Sequence, residues 1–120
     1  MLINLTPHAV TLRDEYGQDH VIPPTAPPAR IEAVPGEGGV CLLPGVPVPV
    51  YLPDRPGRVT GLPDQGTGDQ SSRYYIVSAV VGAALSGLRS DVLVLGTGPN
   101  DGAIRDGDGR IVAVTRLKTV

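Results

Sequence analysis

Short apolar runs separated by proline- and glycine-bearing breaks set the rhythm of this chain. Residues 2–5, 9–13, 20–22, 29–34, 58–62, 74–77 and 92–95 have the length and side chains of strands. Residues 9–13 and 20–22 form a predicted hairpin around Asp14, Glu15, Tyr16 and Gly17. Residues 103–106 and 110–117 form another around Gly107, Asp108 and Gly109, where glycine supplies positive φ. In its second arm Val112 and Val114 share a face with Arg110 and Arg116, opposite Ile111, Ala113, Thr115 and Leu117. Residues 46–52, VPVPVYL, read as an edge strand, because Pro47 and Pro49 cannot donate to a ladder.

One segment breaks the pattern. From Ser78, a suitable cap, Ala79, Val80, Val81, Ala83, Ala84, Leu85 and Leu88 are apolar around most of a helical circumference, which predicts a buried helix over residues 78–88. Strands are expected on either side, at residues 74–77 and 92–95. The expected arrangement is therefore a strand, helix, strand crossover of right-handed sense. The fold class is α+β, in a single small domain spanning residues 1–120, made mostly of short strands.

Composition narrows this further. With no Trp, no Phe and four Tyr among 120 residues, the core has to be built from Val, Leu, Ile and Ala. The 16 glycines and 13 prolines punctuate strands instead of forming a low-complexity tract, so they predict turns and not disorder. A small aliphatic core also favours further burial against a symmetric copy, so a homo-oligomer is expected. Residues 63–73, PDQGTGDQSSR, form a long polar loop that could cover a ligand. The proline-rich stretch at residues 23–28 reads as extended chain.

A formal net charge of −2, with scattered arginines and few aromatics, argues against a nucleic-acid binder. Arg30, Arg58, Arg73, Arg105 and Arg116 could nevertheless converge on a small anion. The single cysteine, Cys41, sits in an apolar run, is expected to be buried and suits a reducing cytoplasm. One cysteine and two distant histidines, His8 and His20, do not make a zinc site. Asp106 and Asp108 lack the remaining ligands of a calcium loop. No metal or other cofactor is expected, and no membrane span or signal peptide is read from the sequence.

Candidate chemistry concentrates in two places. After residues 92–95 the chain enters GTGPNDG, where Gly96, Gly98 and Gly102 allow close approach to main-chain amides. Thr97, Asn100 and Asp101 add polar groups there, and Arg105 follows. This loop is neither a P-loop nor a dinucleotide fingerprint, because no helix and no Gly-Lys-Ser/Thr completes it. At the other end, Pro7 kinks the chain so that Asn4, Thr6 and His8 could project from a strand edge. His8, with an intrinsic pKa of about 6.5, has no catalytic partner recognisable from spacing. The candidate ligand site is therefore Asn4, Thr6, His8, Thr97, Gly98, Asn100, Asp101 and Arg105, with no catalytic residue assigned.

NLTPHAV at the start, YYIVSAVVGAAL, and the closing GTGPNDGAIRDGDGRIVAVTRL resemble a family of small bacterial and phage proteins without an established activity. The likeness covers the first dozen residues and roughly the last half of the chain, and leaves residues 35–57 unplaced. It implies a mobile-element setting, where many small products interfere with host defence or build particles. The reading favoured is a small-molecule binding protein, of the kind that sequesters a nucleotide-derived, anionic signal. The other classes are a hydrolase of such a molecule, a particle or assembly component, and an inhibitor docking on a host protein.

Overall fold

The computed structural model describes residues 1–24, 26–34, 42–50, 55–64 and 73–120. It is a small, sheet-rich fold with one short helix among those residues. A four-stranded sheet forms its centre, in the order β1 (Leu2–Asn4), β6 (Tyr74–Ile76), β7 (Val92–Leu95), β10 (Leu117–Thr119). β1, β6 and β7 run parallel, with Ile3 beside Tyr75 and Tyr75 beside Val92, and β10 returns antiparallel with Leu117 opposite Leu95. Three two-stranded ribbons surround it: β2 (Val10–Arg13) with β3 (Asp19–Ile22), β4 (Arg30–Val34) with β5 (Arg55–Thr60), and β8 (Ile104–Arg105) with β9 (Ile111–Ala113).

The core is aliphatic with one aromatic residue. Leu5, Ala29, Tyr75, Val77, Val81 and Val92 pack together, and Ile3, Val59, Leu62, Leu85 and Val94 close around them. Backbone bonds tie distant segments to this cluster. Leu5 donates to the Ile76 carbonyl at 2.8 Å, and Ala29 donates to the Leu5 carbonyl at 2.9 Å.

Helix α1 (Ala79–Ala84) lies in the chain between the parallel pair β6 and β7. Ser78 caps it, its hydroxyl accepting from the Val81 amide at 3.4 Å. The helix is shorter and less buried than its sequence predicts. Val81 and Gly82 are its buried residues, whereas Val80 is 65% and Leu88 72% exposed. A Cβ on Gly82 would overlap Val94 and press on Val120, so the glycine lets this turn sit directly on β7. The chain leaves helical geometry at the C-cap Leu85, and two residues later Gly87 adopts φ 73° while its amide donates to the Val120 carbonyl. Apolar side chains around the circumference thus mark a helix wedged in by one face, not one enclosed by the core.

The hairpin β2–β3 forms as expected, in the register Val10 with Ile22 and Arg13 with Asp19. The expected strand over residues 110–117 divides. Its middle leaves β9 at Val114, which accepts from the Arg13 amide at 2.8 Å and donates to the Thr11 carbonyl at 3.0 Å. The chain then crosses to β7, where Gly96 donates to the Arg116 carbonyl at 3.0 Å. Residues 114–117 therefore link hairpin to central sheet.

The predicted edge strand over residues 46–52 is not seen at residues 46–49, where Val46 instead donates to the Leu43 carbonyl in a turn, and Val50 takes part in a β-bridge. Two of those four positions are prolines without an N–H, so little of a ladder remains to be made. Tyr51 and Leu52, the long polar loop at residues 65–72, and Cys41 lie outside the described residues.

Candidate functional site

The amino-terminal cluster is bonded to itself. Asn4 is fully buried at the end of β1. Its Nδ2 donates to the carbonyls of His8, at 2.7 Å, and Ile22, at 2.9 Å. Its Oδ1 accepts from the Thr6 amide at 2.9 Å and the Thr6 hydroxyl at 2.6 Å. Both donors and both lone pairs are thereby used, so Asn4 shapes the kinked segment at Pro7 instead of projecting from an edge. The Thr6 hydroxyl also reaches the His8 carbonyl at 3.0 Å. His8 joins this network through its backbone while its side chain stands exposed.

The glycine-rich loop is likewise organised from within. Asp101 is buried, and its Oδ2 accepts from the Gly98 amide at 2.8 Å and from Lys118 Nζ at 3.3 Å. Those partners, the Gly98 amide foremost, hold its carboxyl below the usual range. The single Thr115 hydroxyl proton is shared between the carbonyls of Asp101 and Gly102, at 3.3 and 3.2 Å, and anchors the other side of the turn. Of the three glycines in this loop, Gly102 adopts positive φ, at 74°. Gly96 and Gly98 are needed for space. A Cβ on Gly96 would lie 2.9 Å from the Arg116 carbonyl, and one on Gly98 would lie 2.8 Å from the Asp101 carboxylate. Arg105 donates to the Gly109 carbonyl at 2.8 Å across its own hairpin, whose turn is held by Asp106 accepting from the Asp108 and Arg110 amides. Thr97 and Asn100 are exposed. Among the described residues no hydrogen bond or ion pair joins the amino-terminal cluster to this loop.

A groove of about 310 Å³ opens elsewhere, where β2 and its turn meet residues 114–117. Leu12, Val114 and Leu117 give it a mostly apolar wall, and Arg13, Asp14, His20, Thr115 and Arg116 supply polar groups. Three of these are engaged in pairs. His20 Nε2 lies 2.8 Å from Asp14 Oδ2, and Arg13 Nε donates to Asp19 at 2.7 Å. Asp14 sits below the usual carboxyl range, first because of His20 and then because its other oxygen caps the turn at Gln18 and Tyr16.

Arg116 differs. Its stem packs over Gly96, and among the described residues its guanidinium has no hydrogen-bonding or ion-pair partner. Among the described residues lining the groove it is therefore the cation not engaged in an ion pair, with only a longer-range attraction to Asp101.

The pairing of Asp14 with His20 was accessible from the sequence once the hairpin was drawn. His20 stands opposite Leu12. Alternation then puts Asp14 on that same face, one step beyond. Arg116 could not be placed so simply, since residues 114–117 switch between two sheets.

The chain matches no protein-family model, no curated protein and no solved structure, so the site rests on its own chemistry.

Proposed function

We propose that this protein binds a small anionic molecule with an apolar or planar portion, held in the groove between the β2–β3 hairpin and residues 114–117. The observation that carries this reading is a single one. Among the described residues the Arg116 guanidinium makes no hydrogen bond or ion pair, feels the Asp101 carboxylate only at longer range, and stands beside the apolar wall of Leu12, Val114 and Leu117. Concave, mostly apolar walls with a few polar groups are the usual form of a small-molecule site. A nucleotide-derived molecule satisfies both halves, its ring covering the apolar wall and its phosphate meeting the guanidinium. Thr97 and Asn100 stay exposed and available, whereas Asn4, Thr6 and Asp101 are committed to internal bonds.

The test is calorimetry with a panel of cyclic nucleotides and ADP-ribose derivatives on the parent and on Arg116→Ala. A charge-assisted contact is worth roughly 1.5–3 kcal/mol, so Arg116→Ala should weaken binding by about ten- to a hundredfold with the fold intact. Unchanged affinity in Arg116→Ala would remove the groove from consideration.

One observation favours a second reading, a hydrolase. His20 lines the same groove and is oriented by Asp14, which is how a general base is commonly held. Mass spectrometry of the ligand recovered from the protein separates the two: an intact molecule supports sequestration, and a cleaved one that survives intact with His20→Ala supports catalysis.

A further inference from the structure

We propose that the peptide between Asp108 and Gly109 is a site of spontaneous covalent modification, where aspartate rearranges to isoaspartate through a cyclic imide. Glycine has no side chain to shield its amide nitrogen from the carboxyl group of the residue before it. Three aspartates precede glycine in this chain, Asp101, Asp106 and Asp108. The fold restrains two of them and leaves the third free.

Asp101 is buried, and its carboxylate is bound to the Gly98 amide at 2.8 Å and to Lys118 at 3.3 Å. Asp106 is exposed but pinned at the neck of its hairpin. Its amide donates to the Arg110 carbonyl at 2.9 Å, and its Oδ1 accepts from the Asp108 and Arg110 amides. Bringing that carboxyl group onto the Gly107 nitrogen would break up the turn. Asp108 is exposed at the tip, and among the described residues its carboxylate takes part in no hydrogen bond or ion pair. A Cβ on Gly107 or Gly109 would meet nothing within 4 Å, so the space on both sides is open. One bond opposes the reaction, from the Gly109 amide to the Asp106 carbonyl at 3.1 Å. It lies in an exposed turn, where local opening needs little free energy, whereas freeing Asp101 means detaching its loop from β10.

The step needs no reagent but water. The Gly109 nitrogen bonds to Asp108 Cγ, the carboxyl hydroxyl leaves with the amide proton as water, and a five-membered imide closes. Water then opens the ring at either carbonyl. Opening at Cγ restores Asp108, and opening at the backbone carbonyl leaves the chain running through the side chain, one methylene longer. That extra carbon shifts Gly109, whose carbonyl accepts from Arg105 at 2.8 Å, and so slackens the turn between β8 and β9.

Incubation of the full chain in mildly acidic buffer, followed by tryptic digestion and electron-transfer fragmentation, tests this. Cleavage after Arg89, Arg105 and Arg110 puts Asp101 in one peptide and Asp106 with Asp108 in another, and fragmentation separates the last two. In the folded chain isoaspartate at position 108 should exceed that at 101 and at 106 by about tenfold or more. In heavy-oxygen water it should carry the label that ring opening inserts. In urea the three positions should react at similar rates, because the restraints on Asp101 and Asp106 are gone. Asp108→Glu, whose carboxyl group would have to close a six-membered ring, should leave position 108 unmodified. Comparable isoaspartate at 101 or 106 in the folded chain, or a preference for 108 that persists in urea, overturns the proposal. A folded chain that stays unmodified at 108 while the unfolded chain reacts overturns it too.

Discussion

Asn4 shows how far a single side chain can set local shape. One buried amide holds the Thr6 amide and hydroxyl and the carbonyls of His8 and Ile22, so it closes the turn at Pro7 and fastens β1 to the end of β3. Asn4→Asp keeps the shape but removes both donors and aims a carboxylate at two carbonyls. With each unsatisfied buried group costing about 1–3 kcal/mol, the variant should lose at least about 3 kcal/mol in a denaturant titration. Ligand binding by whatever fraction remains folded should be unaltered. A loss under about 1 kcal/mol would mean that water replaces the amide and that the network is dispensable. Asn4, Thr6 and His8 stand out in the sequence as a polar set, and the structure bonds them to one another. The sequence could not tell an amide turned toward its own backbone from one turned toward a ligand, because the same donors and acceptors serve both. Asp101 carries the same ambiguity, and in the structure its carboxylate accepts from the Gly98 amide and from Lys118.

At the scale of elements, Gly82 sets two effects against each other. Alanine is the better helix former by about 1 kcal/mol, which alone predicts that Gly82→Ala stabilises α1. Its methyl group, however, would overlap Val94 Cγ1 and lie 3.2 Å from Val120 Cγ1, both in a region packed against the core. Overpacking of that kind costs about 1–3 kcal/mol, so the sign should reverse and Gly82→Ala should lower the melting temperature. A rise would show that β7 and α1 move apart at little cost. The same contact explains why strands were more legible than the helix. Alternation and turn residues locate β2, β3, β6, β7, β8 and the start of β9 within a residue or two, because both signals are local. The packing of α1 depends on Gly82 meeting β7, and the turn after it on Gly87 meeting Val120, neither of which is visible in a one-dimensional pattern. The division of residues 110–117 is likewise a choice between two partner strands.

Over the whole molecule, carboxylates hold the separate pieces in place, and this makes stability depend on pH in a definite direction. Asp91 is buried at the start of β7, accepts two bonds from Arg89, and is held below the usual carboxyl range chiefly by that guanidinium. Arg89 also donates to the Pro63 carbonyl at 2.9 Å, so the pair ties the segment after β5 to the central sheet. Asp101 does the corresponding work between the glycine-rich loop and β10. Both folded-state values lie below that of an unfolded aspartate, about 3.9. Their contribution is therefore complete above that value and is lost as pH falls through the depressed ones. Asp14 and Asp19 shift the same way, but the Arg13–Asp19 pair is exposed and solvent weakens it. Urea midpoints measured from neutral pH to below pH 3 should thus hold steady and then fall in acid. Asp91→Asn and Asp101→Asn should each lower the neutral plateau and flatten the acid limb, while Asp19→Asn should alter neither appreciably. If Asp19→Asn flattened the limb as much as Asp91→Asn, surface pairing and not the buried ties would be setting the acid response.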